Sequence, residues 1–351
     1  MHTKPLLFLL LAVSVLAACE TQPASEASSD AGEASGELTL YTHRHYEADQ
    51  AIFDQFTEET GITINVVNAS ADELILKMEN EGEQSPADVL ITVDAGRLER
   101  ANGKGLLQPV TSDVLTASIP EHLREGENHW FGITKRARVI VYDKDRGMPE
   151  GLATYEGLAD ESWAGNVLIR SSGNIYNQSL MASILAHHGE EGARQWAQGV
   201  VGKMAREPKG NDRDQMKALI AGEGDVAVVN TYYVGHLINS QDSSEVEVGN
   251  RIGIYFPNQD ERGAHINISG AGVARHAPNK ENAIRFIEYL TSVPVQNTFA
   301  AANHEYPVNP AAEPSTLLAS WGSFKEDQLS LATLGELNRQ AVLTFDEVGW
   351  K

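Results

Sequence analysis

Between Leu38 and Asp94, short apolar segments alternate with amphipathic ones, and this alternation restricts the fold more than any other feature of the chain. Leu38-Thr39-Leu40-Tyr41 and Ile62-Thr63-Ile64-Asn65-Val66-Val67 have the two-residue period of strands. Ala87 to Val93 is a nearly continuous apolar run ending at Asp94, as expected for a strand covered on both faces. Between these strands, Ile52, Phe53 and Phe56 share one face of a helix that Gly61 stops, and Leu74, Ile75 and Met78 share one face of a helix over Ala71–Asn80. Alternating strands and helices imply an α/β chain with a mostly parallel sheet and helices on both of its faces.

The pattern returns in the middle of the chain. Val167-Leu168-Ile169 leads into the polar run Arg170 to Ser179, followed by a helix over Leu180–His188. A helix closing at Met216–Ala221 turns through Gly222–Gly224 into the strand Asp225–Val229, which empties into Asn230-Thr231-Tyr232-Tyr233. Two β-rich stretches, Gly132–Tyr142 and His265–Val273, are polar at their centres and read as crossings between two lobes. Two crossings make one lobe discontinuous and give the pair a hinge. The expected limits are 37–136 with 265–310 for lobe 1 and 137–264 for lobe 2, with the C-terminal helices of 311–351 packing on lobe 2.

The N-terminus is a targeting segment. Lys4 precedes an apolar run, Leu6 to Val15, too short to remain as a membrane span. It ends in Leu16-Ala17-Ala18-Cys19, which resembles a bacterial lipobox, so residues 1–18 are expected to be cleaved and Cys19, the single cysteine, to carry lipid. Residues 19–36 contain no large apolar side chain and read as a flexible tether. With Cys19 lipidated, no thiol remains for a disulfide or a thiolate metal site. The 27 basic and 49 acidic residues give a formal charge of −22, without a basic stripe for nucleic acid. The acidity favours a cationic ligand only weakly.

Three polar turns follow strand ends, where open α/β sheets collect ligands. They carry His45 and Tyr46, Tyr176, and Tyr232 with Tyr233. A phenolate is a hard anionic oxygen, and ionising several phenols of pKa ~10 near neutrality takes a highly charged cation. Fe3+ meets that requirement; Ca2+ and Mg2+ prefer carboxylates and carbonyls, and Zn2+ prefers His, Cys or carboxylate. His43 and His45 could clamp zinc, but neither has an evident acidic or sulfur partner. Each tyrosine alone also fits a packing role, so only the set is specific. The chain shows no G-x-S-x-G elbow, H-E-x-x-H helix, paired-cysteine motif or phosphate-binding loop.

Arg44-His45-Tyr46, Ser85-Pro86-Ala87-Asp88, Trp130-Phe131-Gly132, Lys135-Arg136-Ala137-Arg138, Tyr176-Asn177-Gln178-Ser179, Asn230-Thr231-Tyr232-Tyr233 and Glu305-Tyr306-Pro307-Val308 resemble the periplasmic ferric-binding proteins of bacterial iron transporters. The resemblance implies a type II periplasmic-binding-protein fold, the bacterial counterpart of a transferrin lobe, with two lobes on a two-strand hinge. It implies that His45, Tyr46, Tyr176, Tyr232 and Tyr233 ligate iron, with His45 the least secure and little need for an added anion. Arg44, Arg136 and Arg206 are candidates for balancing phenolate charge without competing for metal. The implied role is non-enzymatic: a monomeric, lipid-anchored periplasmic protein handing Fe3+ to an inner-membrane ABC permease served by a separate ATPase. An anion or small organic cation in the same fold is the alternative, and an exported metallohydrolase the more distant one.

Overall fold

The computed structural model describes Met1, residues 36–44 and residues 46–351. Residues 2–18 of the expected signal segment, Cys19, nearly all of the expected tether and His45 lie outside the described residues. Among the described residues no helix is long and apolar enough to cross a membrane.

The strands are β1 (Gly36–Thr42), β2 (Ile62–Asn68), β3 (Val89–Thr92), β4 (Phe131–Asp143), β5 (Val167–Leu168), β6 (Val226–Asn230), β7 (Ile252–Tyr255) and β8 (Ile266–Val273). They hydrogen-bond in the order β2-β1-β3-β8-β4-β6-β5, with β7 added to β4. β1 pairs in parallel with β2 and β3, and β5 with β6, as the strand–helix alternation requires. The sheet as a whole is mixed rather than mostly parallel, because β8 runs antiparallel to β3 and β4 runs antiparallel to β8, β6 and β7. The crossing strands cause the difference. β4 pairs with β8 from Phe131 to Ala137, then changes partner and pairs with β6 from Arg138 to Val141. One long strand thus belongs to both halves of the sheet, and a return strand beside it must run the other way.

Local signals fix the helices. Gly61 adopts φ 72° and its N–H closes on the Thr57 carbonyl, a left-handed stop open to glycine at little steric cost. Ser70 and Glu73 form a reciprocal capping box that starts the helix Ala71–Glu81. The helix Glu47–Thr60 buries Phe53 and Phe56 against Phe286, with ring centroids 5.5 and 5.1 Å apart. Each such side chain contributes about 1.5–3 kcal/mol when fully withdrawn from water.

The polar run after β5 is more helical than its composition suggests. The helix begins at Ile175, not Leu180, and runs to Val201 across a kink at Gly189. Asn174 caps it, its side chain accepting from the N–H groups of Tyr176 and Asn177. The C-terminal segment touches elements from both halves of the sheet. The helix Ala332–Glu336 packs on the helix Ala95–Gly103, and the helix Asn338–Val348 packs on Ile175–Val201. The Trp350 indole N–H donates to the Arg170 carbonyl at 3.0 Å, and Ser172 N–H donates to the Lys351 carbonyl at 2.9 Å. The chain end thereby holds the segment that leads to Tyr176.

Candidate metal site

The four candidate tyrosines sit at the starts of three helices. Tyr46 is the N-cap of Glu47–Thr60, Tyr176 is the second residue of Ile175–Val201, and Tyr232 and Tyr233 are the second and third residues of the helix Thr231–Ile238. A helix N-terminus carries a partial positive charge, so this placement favours anionic oxygens. Adjacent residues on a helix diverge by about 100°, not the 180° of a strand, which lets neighbouring long side chains converge. Tyr232 and Tyr233 do so, with ring centroids 4.2 Å apart.

The phenols form one electrostatic cluster. The Tyr232 hydroxyl donates to the Tyr176 hydroxyl at 3.0 Å. Burial pushes the Tyr232 phenol well above its ordinary range, and negative charge on Tyr176, Tyr46 or Tyr233 would push it further. Burial also raises Tyr233, followed by Tyr176 and Asp212, while the hydrogen bond with Tyr232 and the charge of Arg170 oppose the shift. For Tyr46 the order is burial, then Glu305, with Arg44 opposing and Tyr176 and Tyr233 adding. The protein alone therefore keeps these groups protonated. A cation seated among them would favour the phenolate form of each and oppose that upward shift.

Three guanidiniums flank the cluster. Arg44 is buried, its Cζ 4.9 Å from the Tyr46 ring centroid. It pairs with Asp49 through two bonds of 2.9 Å and with Glu305 at 2.9 Å, and it donates to Ser269 at 2.7 Å and Thr134 at 3.3 Å. Thr134 lies on β4 and Ser269 on β8, so Arg44 joins the Tyr46 segment to both crossing strands. Arg136 lies over Tyr176 at 5.4 Å and donates to the Val93 carbonyl. Arg170 lies over the same ring at 5.8 Å and pairs with Asp212 at 2.8 Å. The other oxygen of Asp212 pairs with Arg138 at 2.8 Å, and Arg138 also donates to Asn230 at 3.0 Å and Asn177 at 2.8 Å. This buried network fixes Asn177, next to Tyr176, and Asn230, which begins the helix bearing Tyr232 and Tyr233.

The structure brings Tyr46, Tyr176, Tyr232 and Tyr233 together, with Arg44 and Arg136 beside them. Arg206 stands apart: it pairs with Glu223 at 2.9 Å and lines a surface hollow with Lys209 and Lys217. Among the described residues no group of three His, Cys, Asp or Glu side chains could hold a metal. Sequence reading missed Arg170, Asp212, Glu305, His236 and His304. His236 alone carried a local signal, lying four residues beyond Tyr232 and so on the same helix face. Its ring stacks 6.0 Å from Tyr46 and meets Tyr232 edge-on at 5.8 Å. Burial, then the neighbouring His304 and Arg213, pushes its pKa down to about 4.

Two sheet halves sharing crossing strands, with donors clustered at strand ends, define a type II periplasmic-binding-protein fold. Residues 84–321 match the family described as bacterial extracellular solute-binding protein, and the chain belongs to that family. It is 47% identical over 337 residues to iron uptake protein A1 of Synechocystis, covering 96% of this chain and 93% of that protein. A Trichodesmium IdiA (FutA) structure in complex with iron and citrate ligands is 48% identical, with a TM-score of 0.87 over 90% of this chain and all of that one. A ferric binding protein from Campylobacter jejuni is 43% identical, with a TM-score of 0.85 over 90% of this chain and all of that one.

Proposed function

We propose that this chain captures Fe3+ with Tyr46, Tyr176, Tyr232 and Tyr233 and delivers it to the permease of an ABC importer, catalysing no reaction. The observation that carries this reading is the convergence of four phenols with no nearby carboxylate or thiolate cluster among the described residues. That donor set suits a hard trivalent cation and little else. The names of the relatives, an iron uptake protein and a FutA protein holding iron and citrate, support the same cargo. His45 is the proposed fifth donor.

Four phenolates around Fe3+ leave one negative charge. Arg44 and Arg136, permanently protonated, offset it from positions beside Tyr46 and Tyr176. Iron lands first on Tyr176, Tyr232 and Tyr233, and the segment carrying Tyr46 then closes over it. The moving bodies are 37–136 with 265–310, and 137–264, turning on β4 and β8. Each bound phenolate has released a proton, so affinity falls as pH drops. The protein works as a periplasmic monomer, lipid-anchored through Cys19, with the ATPase on a separate chain.

Ferric citrate added to metal-free protein should give the purple-red absorption of iron–phenolate charge transfer. The double substitution Tyr232→Phe/Tyr233→Phe should abolish it. A colourless wild type whose iron uptake is unaltered by the double substitution would end the proposal.

A further inference from the structure

The helix Thr231–Ile238 carries a second kind of donor besides its tyrosines. His236 lies one turn beyond Tyr232, and His304 closes on it from another part of the chain. The two imidazole centroids are 5.4 Å apart with the rings at 69°. His304 reaches this place through a left-handed backbone, φ 56°. Gly235 leaves the room for it: a Cβ there would stand 2.5 Å from Cβ and Cγ of His304. Nε2 of His236 and Nδ1 of His304 are both shielded from solvent, and neither has a hydrogen-bond partner among the described residues.

Such an arrangement is costly as it stands. A buried polar atom without a partner destabilises by about 1–3 kcal/mol, and here two occur on rings in contact. Other histidines of the chain are engaged by carboxylates: His129 by Glu125 at 2.9 Å, His187 by Asp327 at 2.8 Å and His188 by Glu156 at 2.8 Å. Among the described residues the His236–His304 pair has no carboxylate partner, and its unsatisfied nitrogens belong to rings that meet edge-on.

We propose that His236 and His304 form a two-imidazole site for a divalent first-row transition-metal ion, beside the tyrosine cluster and distinct from it. Metal–nitrogen bonds of ~2.1 Å, with each ring centroid about 1.1 Å farther out, put two tetrahedrally arranged imidazole centroids about 5 Å apart. The observed 5.4 Å matches that spacing. Imidazole nitrogen suits Zn2+ and its neighbours, whereas the phenolates suit Fe3+, so adjoining donors sort ions by hardness. The pair stands whether or not the tyrosines take iron.

The test uses the full chain freed of metal and dialysed against ZnCl2. Wild type should retain a zinc ion that His236→Gln/His304→Asn does not, each single substitution weakening binding at least ~10-fold. Gln is tolerated in a helix and Asn at positive φ, and thermal melts of the metal-free proteins check folding. Diffraction at the zinc edge from wild-type crystals needs no variant. An anomalous peak bonded to both Nε2 of His236 and Nδ1 of His304 supports the site. An empty map there, zinc on the tyrosines or on His43, or equal zinc retention by wild type and double variant overturns it.

Discussion

The two sides of the tyrosine cluster rest on different supports. Tyr176, Tyr232 and Tyr233 project from helix starts whose neighbouring residues, Asn177 and Asn230, are bonded to one buried Arg138–Asp212 pair, and Tyr176 and Tyr232 are hydrogen-bonded to each other at 3.0 Å. Tyr46 instead lies against Arg44, which Asp49, Glu305, Thr134 and Ser269 hold against β4 and β8. The first side is tied to the crossing pair through β4 alone, by Arg138. The second is referenced to both β4, the strand that enters both halves of the sheet, and the return strand β8 beside it. A landing site needs the first property, and a closing element needs the second, because its position must follow the crossing strands.

The sharpest way to break this comparison is to remove one phenol from each side. Tyr176→Phe deletes a proposed metal donor and also strips the Tyr232 hydroxyl of its acceptor, so it should cost more than the roughly 100-fold that loss of an outer-sphere partner can cost. Tyr46→Phe should leave a coloured complex that is weaker and releases iron faster. Visible titration and stopped-flow release measure both; equal losses would mean that the two sides are not functionally distinct.

Asp212→Asn tests the support rather than the donors. Asp212 is fully buried between Arg138 and Arg170, and neutralising it leaves two guanidiniums without their shared counter-charge. Breaking a buried pair this way costs about 3–5 kcal/mol, which for a domain of this size lowers Tm on the order of 10 °C. Calorimetry of the metal-free protein checks it. A change of a degree or less would show that the network is not what holds the Tyr176 side in place.

Glu305→Gln probes the other side through pH. Glu305 is the largest contributor after burial to the raised pKa of Tyr46, and Arg44 opposes it. Removing the carboxylate charge lowers that pKa, so protons compete less well with metal for the phenolate. Iron should therefore be retained to lower pH, by a fraction of a unit, with the midpoint read from loss of visible absorption during acid titration. A midpoint moved to higher pH would contradict the role given to Glu305.

The same contrast explains what the sequence made legible. β1, β2, β3 and their helices were readable because apolar periodicity records burial directly, and β4 and β8 showed as β-rich runs with polar centres. The helix start at Ile175 was hidden because Asn177, Gln178 and Ser179 are buried through hydrogen bonds, and polar burial leaves no hydrophobic period. The antiparallel pairings were hidden because strand direction depends on which half a strand enters, not on its composition. Tyrosines at strand ends could be listed as donors, but Asp212, Arg170 and Glu305 act through partners tens to hundreds of residues away. No local pattern encodes such pairs.

The smallest expected effect comes from the chain end. Trp350 packs 4.9 Å from Phe345 and 6.0 Å from Trp196, and its indole N–H holds the Arg170 carbonyl. Trp350→Phe keeps most of the apolar contact and removes that one bond, a loss of about 1 kcal/mol and a few degrees of Tm. The consequence should fall on one side only. Arg170 and Ser172 precede Tyr176, so initial iron capture should slow slightly while the acid-release midpoint governed by Tyr46 stays where it was. A shift in that midpoint would mean that the C-terminal segment couples the two supports, which is open to it because its helices touch both Ala95–Gly103 and Ile175–Val201.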